Sequence, residues 1–229
     1  MTEPVVFLID VDNTLLDNDA IQGDYISEMQ REVSPKASKR YWTIFREIFS
    51  ELGYADYLGA LQRYRLEDMH DPKLLNVSSY LLDYDFAARL YPRSLEVIKH
   101  LRASCRVVLL TDGDVVFQPR KVLRAGLWSA VEGNVLIYIH KEKELRQVER
   151  RFPAQHYVMV DDKLRILTTI KQHWRDRVTT VFVRQGHYAT DPATRADYPP
   201  ADITIERIGD LLNYELDTIL QAAKEKNQE

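Results

Sequence analysis

Five consecutive apolar residues, Val5 to Ile9, run directly into two carboxylates two positions apart, Asp10 and Asp12, in the stretch VVFLIDVDNTLLD. An apolar run this short, three of its members β-branched, suits a strand buried on both faces, as in the middle of a parallel sheet. Open sheets of that kind bind ligands just past the carboxyl ends of their strands. Asp10 stands at such an end, which makes it a candidate site residue. Two carboxylates this close repel each other and shift each other's pKa. A divalent cation, a shared proton or a nearby lysine would relieve the repulsion.

Between Asn18 and Leu90 the apolar spacing is helical throughout. Ile21, Tyr25, Met29 and Val33 recur at i, i+4. Ser34 followed by Pro35 reads as an N-cap and a first helical residue, and the helix carrying Tyr41, Trp42, Ile44, Phe45, Ile48, Phe49 and Leu52 stops at Gly53. A third helix is expected over Ala55–Met69 and a fourth over Val77–Leu90, after the break at Asp71-Pro72. This is roughly seventy residues of helical bundle, about half the usual size of a free-standing domain.

From Tyr91 the chain alternates. A helix over Arg93–Ala103 precedes the strand in CRVVLLT, which ends at Thr111-Asp112-Gly113-Asp114. A helix from Pro119 to Gly126 follows. Further strands are expected at Asn134–Ile139, His156–Val160, Thr179–Val183 and Asp202–Ile205, and a helix from Ile208 to about Ala223 closes the chain. Strands alternating with helices imply an α/β fold with a doubly wound parallel sheet. The expected organisation is therefore a Rossmann-like core over residues 1–17 and 91–229, with an all-helical segment, 18–90, inserted between its first two strands. Gln185–Ala201 is long for a connection, either functional or merely mobile, and the tail Lys224–Glu229 is expected to fray.

Composition narrows the function. With 229 residues, 45% of them hydrophobic, the chain can bury a sizeable core. A net charge of −4 gives no sign of nucleic-acid or anionic-membrane partners. Cys105 is the single cysteine, so no internal disulfide can form, and no apolar run reaches membrane-spanning length. The start MTEP leads straight into a strand without the basic region and apolar core of a signal peptide, so the expected location is the cytoplasm.

Three strand ends carry unusual polar residues: Asp10 and Asp12, Thr111 to Asp114, and Asp161-Asp162. A lysine-rich turn, His140-Lys141-Glu142-Lys143, follows another strand. In a parallel sheet such ends face one side and can converge. Four carboxylates, a hydroxyl and an ammonium suit Mg²⁺ and a phosphate, since Mg²⁺ takes a few carboxylates, retained waters and substrate oxygens.

Taken together, the DxDNTLLD stretch, a threonine ending the second strand, a later lysine and an acidic pair resemble the four motifs of the haloacid dehalogenase-like hydrolase superfamily, in order over the whole chain. The insert is similar to that superfamily's helical cap. The resemblance implies Asp10 as a nucleophile that forms an aspartyl-phosphate, and Asp12 as the acid and base that serve the leaving group and then the water. It implies Thr111, with Asp112, Gly113 and their backbone N–H groups, as the holder of phosphoryl oxygens, and Lys141 as the bridge between nucleophile and phosphate. Mg²⁺ would be held by the Asp10 side chain, the Asp12 carbonyl, Asp162 directly and Asp161 as a second acid. Two details depart from the commonest pattern. The fourth motif lacks its distal acid, and Lys141 is followed by Glu142 where proline is frequent, which leaves Lys143 and Lys121 as alternative sources of the ammonium.

The implied activity is Mg²⁺-dependent hydrolysis of a small phosphorylated metabolite. Dehalogenases of the superfamily lack the second aspartate and the metal, which Asp12 and the acidic pair argue against. Phosphomutase chemistry uses the same core, and a catalytically weak binding or regulatory protein on this fold is the remaining alternative. Ordinary structural roles compete at several positions. Asp114 reads as a helix N-cap, Asp161 or Asp162 can cap the helix from Lys163, and Arg63 and Arg65 read as solvated surface. The aromatics of the insert read mainly as packing, and His140, His156 and His187 lack metal-ligand spacing. Substrate identity and oligomeric state are not encoded in any of these patterns.

Overall fold

The computed structural model describes residues 2–67, 69, 71–192 and 196–225. Six strands among them form one parallel sheet: β1 (Glu3–Ile9), β2 (Arg106–Asp112), β3 (Val135–Tyr138), β4 (Ala154–Asp161), β5 (Val178–Val183) and β6 (Ile203–Ile205). Their order is β3-β2-β1-β4-β5-β6, and every pairing is parallel. The chain therefore winds outward from β1 in one direction to β3, then returns to the other side of β1 for β4. The crevice between β1 and β4 is the switch point at which doubly wound sheets bind ligands.

β1 is buried on both faces, as its unbroken apolar run implies. Val5, Phe7 and Ile9 pack on one side with Leu109, Val158 and Val181, while Val6 and Leu8 pack on the other with Val108, Met159 and Ile170. Fully burying each such side chain stabilises the fold by roughly 1.5–3 kcal/mol. The register Ile9↔Leu109 and Ile9↔Val160 brings the ends of β1, β2 and β4 to one level.

Four helices follow β1 in the inserted segment: α1 (Asn18–Glu32), α2 (Pro35–Leu52), α3 (Tyr57–Arg65) and α4 (Lys73–Asp83). Their ends follow local chemistry. Asp17 accepts from Ala20 N–H, Ser34 accepts from Ala37 N–H with Pro35 beginning the helix, and Asp56 accepts from Gly59 N–H. Gly53 closes α2 in the left-handed region, φ 77°. The expected third and fourth helices are shorter than their apolar spacing suggests. The third starts after its Asp56 cap, and α4 ends at Asp83, with a separate 3-10 helix at Phe86–Arg89. Tyr25, Tyr41, Trp42, Phe45 and Tyr57 pack edge-to-face or tilted against one another, the packing role expected of the insert's aromatics. The chain leaves and re-enters the α/β part through adjacent backbone: Asp17 N–H donates to Arg89 O and Tyr91 N–H to Leu15 O.

The remaining helices sit between strands: α5 (Ser94–Arg102), α6 (Phe117–Arg124), α7 (Leu127–Ala130), α8 (Leu145–Arg151), α9 (Leu164–Trp174) and α10 (Gly186–Thr190). The closing segment is a 3-10 helix, Ile208–Asn213, and a separate helix, Leu216–Glu225, where the sequence suggests one continuous helix. Residues 226–229 of the tail lie outside the described residues. No helix among those described is long and apolar enough to cross a membrane.

Candidate active site

β1 ends at Ile9, and the chain then turns tightly. The N–H groups of Leu15 and Leu16 both donate to Val11 O at 2.9 Å, and Asn13 takes a positive φ of 61°. That turn leaves Asp10 at the strand end, 3% exposed, while Asp12 pairs with Lys121. The Asn13 side chain fastens the turn to α1 by accepting from Asn18 N–H and Asp19 N–H at 3.0 and 3.2 Å. Gly186 lies so close to Asn13 that an added Cβ would stand 2.5 Å from the Asn13 Cβ. Glycine is therefore required there by close approach as well as by its φ of +70°.

Asp10, Asp161 and Asp162 converge. Each offers a carboxylate oxygen, and the three oxygens lie within 4.8 Å of one another although Asp10 and the pair come from different strands. Both Asp162 oxygens are buried without a hydrogen-bond partner, a costly state unless a cation or proton meets them. Burial pushes the carboxyls of Asp161 and Asp162 above the ordinary range, against the nearby Lys141 and Lys163 ammoniums. Three buried acids, with both oxygens of Asp162 unanswered, form a donor set compatible with a divalent cation. Asp161 also accepts from Lys163 N–H at 2.8 Å, a turn just ahead of α9, whose N-cap Lys163 makes no side-chain cap bond.

Among the three candidate lysines, Lys141 is the one at the strand end. It is 1% exposed, with Nζ 2.5 Å from Asp10 Oδ1 and 2.6 Å from Asp161 Oδ2. Burial alone would lower its pKa; the Asp10 and Asp161 charges outweigh it and hold the ammonium above the usual lysine value. Lys143 is exposed. Lys121 has a different partner: its Nζ lies 2.8 and 2.9 Å from the two Asp12 oxygens and 3.0 Å from Asn18 Oδ1. The Asp12 carboxylate is thus held by Lys121 and stands outside the acidic group of three.

Thr111, at the end of β2, is buried and accepts from Gln118 Nε2 at 3.0 Å. Gly113 N–H is already committed to Tyr138 O at 2.9 Å, so Gly113 offers close approach rather than a free donor. Asp114 accepts from Val116 and Phe117 N–H and opens α6, the capping role its position suggests. The Asp112 carboxylate accepts from Lys141 N–H at 2.7 Å and so anchors the lysine-bearing turn. Burial pushes Asp112 up to about 6, with Lys141 opposing. Because the folded value lies above an unfolded value of about 3.9, the unfolded chain releases this proton first. The group's contribution to stability is present below about pH 4 and is lost as pH rises through about 6. Asp112→Asn is expected to flatten the fall in urea midpoint between those values; a slope equal to that of the wild type would remove this assignment.

A cavity of about 440 Å³ adjoins the site. Asp12, Asp112, Lys121 and Lys163 border it from the sheet, and Phe45, Arg46, Phe49 and Tyr54 from the helical segment. His187 also borders it and is fixed to Asp19 by two contacts of 2.7 Å, so the Gln185–Ala201 connection contributes to the cavity wall. Sequence reasoning passed over Gln118, Asn18 and the partnership of Lys121 with Asp12. The readable signal was the i, i+3 spacing of Gln118 and Lys121 on the helix after β2, which places both on one face.

The fold, with its acidic group at the switch point, is that of a hydrolase class, and the comparisons agree. The haloacid dehalogenase-like hydrolase family model matches residues 5–173, and the chain belongs to that family. The chain is similar to a haloacid dehalogenase-like hydrolase of known structure from Burkholderia xenovorans LB400, with 58% identity and a TM-score of 0.89 over 94% of this chain and 98% of that one. Two more distant structures share the fold. The HAD hydrolase YfnB from Bacillus subtilis, solved bound to magnesium, is 14% identical with a TM-score of 0.63, covering 93% of this chain and 98% of its own. L-2-haloacid dehalogenase from Xanthobacter autotrophicus is 16% identical with a TM-score of 0.59, over the same shares of the two chains. No curated protein matches the sequence.

Proposed function

We propose that this chain is a phosphatase that hydrolyses a small phosphate monoester through an aspartyl-phosphate on Asp10. The observation that carries the reading is the meeting of Asp10, Lys141 and the two later aspartates at one strand end, with Asp12 held separately beside the cavity. Asp10 attacks phosphorus, and the P–O bond to the alcohol breaks as the Asp10 O–P bond forms. A proton carried on Asp12 when the ester binds passes to the departing alkoxide, and the carboxylate left, held by Lys121, then takes one from the water that cleaves the acyl phosphate. Lys121 keeps the Asp12 carboxylate turned toward the cavity, and Lys141 orients Asp10. Thr111 holds a phosphoryl oxygen.

Asp10, Asp161 and Asp162 would hold a divalent cation, with Mg²⁺ the preferred ion. Bound there, it would offset the negative charge that the phosphate and the attacking carboxylate bring together. The four helices α1 to α4 would act as a cap, excluding bulk water and bulky substrates such as folded phosphoproteins. A dehalogenase needs no proton for the departing halide, so the built-in placement of Asp12 by Lys121, Asn18 and Gln118 favours the phosphate reading.

Release of inorganic phosphate from small aryl and alkyl phosphates in the presence of Mg²⁺, lost on chelation, is the expected result. Halide release from 2-chloropropionate without phosphate release would reverse the assignment. An isomerised ester in place of free phosphate would make the enzyme a mutase.

A further inference from the structure

The charged groups around the cavity are almost all matched within the protein. Asp12 faces Lys121, Asp19 faces His187, and Lys163 lies near Asp162, Asp10 and Asp161. Arg46 differs. It borders the cavity from α2, and its recorded polar contact is with Thr43 Oγ1 at 3.3 Å, with no ion-pair partner among the described residues. Other arginines of the helical segment are neutralised: Arg40 by Glu47 and Glu67, and Arg63 by Glu51. Arg65 on α3 and Arg46 are both exposed and without an ion-pair partner among the described residues, but of the two only Arg46 borders the cavity.

The surfaces beside Arg46 are apolar. Phe45 and Phe49 flank it on α2, and Ile139 borders the cavity from the end of β3. Phe49 is 43% and Ile139 50% exposed, so each leaves apolar area in water that a bound molecule would cover. The same cavity is bordered by Asp12, Asp112 and Lys163, and Lys163 and Asp112 lie near the acidic group where phosphorus chemistry is assigned. A ligand with phosphate at the sheet would thus extend between apolar side chains toward a guanidinium. The cavity's 440 Å³ is of small-molecule size.

We infer that the substrate is a small phosphate monoester whose alcohol part is an apolar, ring-sized body bearing a second negative charge, and that Arg46 binds that charge. The inference rests on the phosphatase reading for the orientation of the ligand, and it adds the chemical class of the leaving group. Guanidinium pairs well with carboxylate through parallel N–H donors. The second anion is accordingly taken to be a carboxylate.

Matched pairs of compounds separate the two readings. Phenylphosphonate and 4-carboxyphenylphosphonate, which cannot be hydrolysed, are compared by calorimetry on the wild-type chain, Arg46→Gln and Arg46→Lys, with Mg²⁺ in the buffer. The corresponding aryl phosphates are compared by phosphate release. The wild type should favour the carboxylated member by about tenfold, the scale of one charge-assisted hydrogen bond. That ratio should fall to about one in Arg46→Gln and be partly kept in Arg46→Lys. Equal binding of the pair by the wild type, binding of neither, or a preference that survives in Arg46→Gln overturns the assignment. Preferential binding without phosphate release from either ester would keep the Arg46 site and end the phosphatase reading. Phosphate release without preference would do the reverse.

Discussion

Asp10→Asn is expected to reduce phosphate release by on the order of 10⁴-fold or more, the scale on which removal of an enzymatic nucleophile is felt. The substitution keeps the shape of the side chain and takes away the atom that attacks phosphorus. Its effect on folding should be small, and the reason lies in the local charges. The variant loses the Asp10–Lys141 ion pair at 2.5 Å, but Lys141 keeps Asp161 at 2.6 Å. One of three mutually repelling buried acids also disappears. These changes oppose each other, so the urea midpoint should move little while turnover vanishes. Turnover within tenfold of the wild type would remove Asp10 as the nucleophile. An unfolded variant would show that the Lys141 pair with Asp10 dominates the local energetics.

Lys141→Met should instead act on both stability and turnover. The lysine is buried and sits between two buried carboxylates, so its removal leaves Asp10 and Asp161 without their cation. Breaking a buried pair from one side costs about 3–5 kcal/mol, whereas exposed pairs such as Arg93–Glu96 are worth far less. The cost has a defined pH dependence. Burial already raises Asp161 and Asp162, and without the ammonium their folded values rise further. A folded pKa above the unfolded one means stability present at low pH and lost as pH climbs through the folded value. The deficit of the variant should therefore be smaller near pH 5 than near pH 8 in urea titrations. A pH-independent deficit, or none, would contradict the position given to Lys141.

Much of the architecture is written locally. The run Val5–Ile9 has no polar face to offer water, so it is confined to the interior of a parallel sheet, and the next carboxylate falls at a strand end. Ser34-Pro35 and Gly53 bound α2 because their side-chain and backbone preferences act within a few residues. Apolar periodicity overstates helix length where a cap intervenes, as at Asp56, or where the backbone leaves the helical region, as at Tyr84. The expected role of Asp114 as the acceptor that opens a helix holds for the same short-range reason, whereas Asp161 accepts from Lys163 N–H ahead of α9, which has no side-chain cap. The comparison with known families adds the class of enzyme, but not the leaving group.

Other features depend on residues that are remote along the chain. Lys141 is separated from Asp10 by 131 positions and Lys121 from Asp12 by 109, so sequence spacing favoured Lys141 but kept Lys143 and Lys121 as alternatives. Sheet order assigns them: β2 and β3 deliver Lys141 to the end of β1, and the helix after β2 carries Lys121 to the neighbouring turn. Arg46, Phe49 and Ile139 likewise meet around one cavity because the insert folds over the strand ends. The sequence by itself determined that β1 is buried on both faces, where α2 begins and ends and which acids stand at strand ends, since these follow from each segment's own hydrophobicity and capping. The tertiary structure alone decided which charge faces which, because electrostatic partnership depends on distance through space and carries no periodic trace along the chain.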